Sequence, residues 1–140
     1  MKDNRKKSKF ISMMGVILLM AMIMATGVNA ASVTQTISLG SNYAETPKSA
    51  TRTGDFSYVD VKCTAVYPDQ PGYVDNYTKI RVRIRFIDRT PMSDQEIITE
   101  GTGVNRVHLY EGHLSKTSIQ FIFTGNSTAS ARADVTYDPK

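Results

Sequence analysis

The chain has 140 residues, with 17 Lys plus Arg against 13 Asp plus Glu, one cysteine and no tryptophan. A length of this size makes one domain the default, and a lone cysteine excludes a disulfide within the chain. The net charge of +4 belongs to the N-terminus: setting aside residues 1–30 takes Lys plus Arg from 17 to 12 and Asp plus Glu from 13 to 12. The remainder is neutral, so the basic balance gives no argument for nucleic-acid binding.

The first thirty residues have the layout of an export signal. Lys2, Arg5, Lys6, Lys7 and Lys9 outnumber Asp3, an uncharged apolar run follows over 10–28, and Val28-Asn29-Ala30 places small residues where a signal peptidase reads. Cleavage is expected after Ala30, leaving 31–140 as a single exported domain. The competing reading is an uncleaved anchor, because a run of 19 residues lies within the ~17–25 of a spanning helix. Its basic flank would still leave the domain facing outward. Gly27 and Asn29 beside the alanines favour cleavage. An exported domain without disulfides fits a bacterial source better than a eukaryotic secretory one. Its roughly 110 residues suffice to bury about two-thirds of the surface of the unfolded chain.

The rest of the chain reads as strands. A weak alternation covers 33–39, and the Ser/Thr-rich stretch 40–54 reads as a long loop or a poorly regular edge segment. Over 56–67, Val59, Val61, Cys63, Ala65 and Tyr67 are expected on one face, opposite Asp60, Lys62 and Thr64. The clearest signal is 79–87, where Ile80, Val82, Ile84 and Phe86 alternate with Lys79, Arg81, Arg83 and Arg85. A helix would scatter those charges, whereas a strand puts them all on one side. Short candidates follow at 96–99 and 105–110. Over 117–124, Ile119, Phe121 and Phe123 oppose Gln120 and Thr124, and over 130–137, Ala131, Ala133, Val135 and Tyr137 oppose Arg132, Asp134 and Thr136. Turn residues at 68–72, 88–91, 101–103, 111–112 and 125–126 separate these runs. The pattern predicts an all-β fold, a two-layer antiparallel β-sandwich of about six to eight strands, with a small β-barrel as the runner-up.

Catalytic chemistry is sparse. Cys63 falls on an apolar strand face, where a thiol behaves as a small hydrophobe rather than a nucleophile. His108, Glu111 and His113 straddle a strand end and a glycine turn, which matches no zinc spacing, and no metal is assigned. Asp69, Asp75 and Asn76 lack the dense carboxylates of a calcium loop. The sequons at Asn76 and Asn126 matter only in a glycosylating pathway. Without a phosphate loop, nucleophile elbow or spaced carboxylate pair, the expectation is a non-enzyme with no cofactor.

The basic ladder Lys79, Arg81, Arg83 and Arg85 is the candidate binding site. Its cations recur about every 7 Å, two residues of strand, and arginine forks suit phosphate or carboxylate. The bland alternative is cross-strand pairing with acids such as Asp60, Asp134, Glu96 or Glu100. Tyr43, Tyr58, Tyr73 and Tyr77 are expected in loops or outward, as contact platforms. The sequence therefore points to a secreted, extracellular, non-catalytic binding protein. Its expected partner is a cell-wall polyanion, a glycan or a surface protein, with no nucleic acid and no membrane span after cleavage. In size, leader and sandwich pattern the chain resembles small secreted bacteriocins of the lactococcin type. The resemblance is one of layout, so no residue is carried across, and it implies a secreted antimicrobial toxin as the alternative function.

Overall fold

The computed structural model describes residues 31–72, 77–111 and 118–140. The predicted leader over 1–30, with its cleavage and anchor readings, lies outside them, as do Tyr73, Asp75, Asn76 and His113. Eight strands run through the described residues: β1 (Val33–Leu39), β2 (Thr46–Thr51), β3 (Tyr58–Pro68), β4 (Lys79–Phe86), β5 (Glu96–Thr99), β6 (Val104–His108), β7 (Ser118–Gly125) and β8 (Ala131–Asp138). They form two four-stranded antiparallel sheets, β1-β8-β3-β6 and β2-β7-β4-β5. No strand pairing joins the two sheets, so the architecture is the sandwich and not the barrel. Only β4 and β5 are both consecutive in sequence and paired; every other connection passes from one sheet to the other.

The alternating pattern explains the layering. In β4, Ile80, Val82 and Ile84 are buried completely while Arg81, Arg83 and Arg85 remain half-exposed on the opposite side. From β7, Ile119, Phe121 and Phe123 enter the same core, and from the facing sheet come Ile37, Leu39, Val59, Val61, Ala133 and Val135. Tyr137 of β8 crosses between the layers, with its ring 4.7 Å from Phe121 and 5.8 Å from Phe123. Its hydroxyl accepts a hydrogen bond of 2.7 Å from Gln35, as a phenol at a core margin requires.

One expectation for β3 is corrected. Its pairing with β8 slips between Cys63 and Ala65, a bulge at Thr64. One extra residue exchanges the two faces of the strand beyond it. Val66 therefore takes the core position, and Ala65 and Tyr67 do not. Tyr67 turns outward, where its hydroxyl donates to Asp134 at 3.1 Å. The β5–β6 turn fills the irregularity: the Gly101 N–H donates to Cys63 O at 3.0 Å, and the Glu100 carboxylate accepts the Val66 N–H at 2.7 Å. Gly101 sits at φ 73° and Gly103 at φ 86°, a backbone in which other residues are strained.

Within 40–54, expected to be a long loop or a poorly regular edge segment, Thr46–Thr51 forms an edge strand paired to β7. Its Thr-Pro-Lys-Ser-Ala-Thr sequence has no apolar alternation, and Pro47 is compatible with strand structure because it sits on an edge. Just beyond it Arg52 is buried, 1% exposed, and donates to the carbonyls of Phe56 and Pro139. It ties the β2–β3 loop to the end of β8.

Candidate functional site

The outer face of the β2-β7-β4-β5 sheet carries the basic ladder. Strand pairing sets Arg81 beside Thr124 and Ile97, Arg83 beside Ile122, and Arg85 beside Gln120. The anticipated acids do not answer it. Asp60 and Asp134 belong to the other sheet, on β3 and β8. Glu96 lies opposite the inward-facing Val82, and Glu100 is engaged at the β3 bulge. The ladder's carboxylate is instead Glu45, from the loop between β1 and β2. Its two oxygens divide between two guanidiniums: Oε1 accepts from Arg83, and Oε2 accepts from Arg85 Nη1 at 2.9 Å. Burial pushes the Glu45 carboxyl up, but the hydrogen bond and charge of Arg83, then of Arg85, outweigh it and hold the group below its ordinary value.

Arg81 is held differently. Its Nε donates to Asn126 Oδ1 at 2.7 Å, and its guanidinium carbon lies 4.8 Å from the centre of the Tyr43 ring. Both contacts are neutral, so they orient the cation without cancelling its charge. No carboxylate among the described residues forms an ion pair with Arg81 or with the exposed Lys79. Four cations thus share this face with one paired carboxylate.

Two loops build the Arg81 environment. Gly40 permits a tight return, since a Cβ there would stand 2.7 Å from that of Ala44. Asn42 and Tyr43 then take φ values of 53° and 58°, and the Ala44 N–H bonds Ser41 O at 3.2 Å, as in a type I′ turn. Asparagine suits such a φ, whereas a bulky aromatic there is strained. The second loop joins β7 to β8 and presents Asn126. It is fastened to the first by Asn42 N–H donating to Thr128 O at 2.9 Å. Tyr77 supports it from beneath: its hydroxyl donates to Ala129 O at 2.9 Å and accepts the Ser127 N–H at 3.2 Å. Gly125 leaves space for that hydroxyl, which a Cβ would meet at 2.0 Å. Tyr77 is therefore a buried support, correcting its reading as an outward platform. Tyr43 is exposed, as expected, and Tyr58 is half-buried.

Between Tyr43, Arg81, Arg83 and Gln95 lies a depression of about 130 Å³, lined also by Glu45 and Ile122. Ile122 is 1% exposed although it belongs to the outer face and not to the core cluster. An apolar residue at an outward position was a weak sequence signal of a covered spot, since Ile97 beside Arg81 shares the pattern and is exposed. Glu45 and Asn126 gave no such signal, because their meeting with the ladder depends on loop paths. No protein-family model and no curated protein matches the sequence.

The opposite outer face differs in charge pattern. There Asp60 pairs with Lys140 at 2.6 Å and lies 4.0 Å from Arg106, and Arg132 lies 3.9 Å from Asp69. Arg106, Arg132 and Lys140 also cover the rings of Tyr58 and Tyr67. Cys63 is buried and its thiol is pushed up to about 11, first by burial and then by the charges of Glu100 and Asp134. Such a thiol is a poor nucleophile at neutral pH. His108 is exposed beside Tyr58 on β6, and no group of three metal-binding side chains forms among the described residues.

Proposed function

We propose that this is a secreted, non-catalytic β-sandwich that binds a polyanion of the cell surface through the outer face of the β2-β7-β4-β5 sheet. The observation that carries this reading is the charge on that face, where Lys79, Arg81, Arg83 and Arg85 meet the single carboxylate of Glu45. The opposite face mixes both signs, with Asp60 and Asp134 set among its cations. The basic strand also lies inside its sheet, between β7 and β5, so its backbone is rigid and the spacing of its cations is set. Ligand recognition then consists of oxyanions spanning arginine forks, with binding driven largely by release of counterions. The export signal read in residues 1–30 supports a ligand outside the cytoplasm.

The test is retention of the purified protein on isolated bacterial cell walls across a salt series. Three phosphate contacts at roughly 0.7 ions each give affinity about twentyfold weaker at 200 mM than at 50 mM salt. Joint replacement of Arg81, Arg83 and Arg85 by Gln is expected to abolish the salt-sensitive part. Retention that ignores both salt and these substitutions contradicts the reading.

A further inference from the structure

Glu45 occupies part of the ladder from within the chain. One carboxylate places an oxygen on each of two neighbouring guanidiniums, Arg83 and Arg85, which is how the two unesterified oxygens of a phosphodiester would bridge them. One step along the strand, about 7 Å away, Arg81 has the same outward presentation but no acid. Asn126 and the Tyr43 ring fix its plane from the Nε side and from above, leaving its two terminal nitrogens without a partner among the described residues. The depression beside it, which Glu45 also lines, measures about 130 Å³. That is room for several waters or one phosphate group.

Resting on the reading proposed above, we infer that the Arg81 cleft is the primary subsite for one phosphodiester of a polymer carrying phosphates every 6–7 Å, and that Glu45 is a built-in counter-ion which the next phosphate displaces from Arg83 and Arg85. The polymer enters by the vacant cation first, because Arg81 has no ion pair to break. Exchange at the neighbouring pair trades one oxyanion for another, so the carboxylate lowers affinity while keeping the ladder's side chains aligned. Tyr43 belongs to this device. A tyrosine held at φ 58° is strained, and the ring so placed lies over the guanidinium of Arg81.

The experiment is titration of the full purified protein with a fluorescent poly(glycerol phosphate), a phosphodiester polymer, at constant salt, followed by anisotropy. Glu45→Gln is expected to bind at least fivefold more tightly than wild type. Arg81→Gln is expected to bind at least tenfold more weakly. Arg81→Lys, which keeps the charge and loses the Asn126 bond, falls between Arg81→Gln and wild type. Tyr43→Gly relieves the backbone, so its melting temperature is unchanged or raised, yet it binds more weakly. All three side chains lie at the surface, and melting curves confirm folding of each variant. Wild-type binding with Glu45→Gln equal or weaker overturns the inference and leaves the polyanion reading standing. Absence of binding by both wild type and Glu45→Gln overturns the two together.

Discussion

Cys63 and Arg52 show how single buried groups set the behaviour of this fold. The Cys63 thiol is 0% exposed and its pKa rises from 9.0 to about 11. Below pH 9 the thiol is neutral in both folded and unfolded chains, and its contribution to stability is fully present. Between pH 9 and 11 the unfolded thiol ionises while the folded one does not, so stability falls as pH rises. Tyr77 and Tyr137, whose phenols burial also raises, add to the loss at the alkaline end. Urea denaturation at pH 8 and pH 10.5 should show a larger alkaline loss in wild type than in Cys63→Ala. An equal loss in both removes the thiol from the explanation. The native thiol should also ignore a disulfide reagent at pH 8 and react once denatured. Arg52 acts through geometry: its charged donors satisfy two loop carbonyls in a site closed to water. Arg52→Ala leaves those carbonyls without their donor and should cost about 2–4 kcal/mol of unfolding free energy. A loss below about 1 kcal/mol contradicts the clamp.

The strands and turns carry the positional work. Tyr77 holds the β7–β8 turn, that turn presents Asn126, and Asn126 aims Arg81. Tyr77→Phe should therefore lower stability by about 1–2 kcal/mol and weaken polyanion binding, although the residue does not line the cleft beside Arg81. Unaltered affinity with lowered stability would confine Tyr77 to a structural role. At the other sheet, Glu100→Ala leaves the Val66 N–H without its acceptor beside the bulge and should cost about 1–3 kcal/mol. These elements also mark how far the sequence was legible. Strand β4 was plain because its two faces differ completely in polarity, and β1 and β5 emerged with the bounds of 33–39 and 96–99. The Thr64 bulge was not legible, because Val59 to Tyr67 alternates without interruption in sequence and the slip comes from pairing with β8. Strand β2 was legible only as one of two alternatives, loop or edge segment, because an edge strand buries little and needs no apolar face. The ladder itself was legible, but its counter-ion was not: Glu45 is 38 residues from Arg83 in sequence and reaches it through a turn built on two left-handed residues.

At the scale of the molecule, the two outer faces are unequal in charge. One holds a row of cations with a single carboxylate, and the other mixes cations with several carboxylates and covers aromatic rings. The neutrality of residues 31–140 makes this a matter of arrangement rather than of total charge. Net charge would attract any anion weakly and everywhere, whereas a fixed row selects an extended polymer at one place. The most direct measurement is therefore mapping of amide resonances in ¹H–¹⁵N spectra as inorganic polyphosphate is added. Shifts are expected to gather on Tyr43, Glu45, Arg81, Arg83, Arg85 and Asn126, with Tyr58, Arg106 and Arg132 unmoved. Shifts centred on Tyr58 and Arg106, or none at saturating polyphosphate, would contradict the ladder as the binding site.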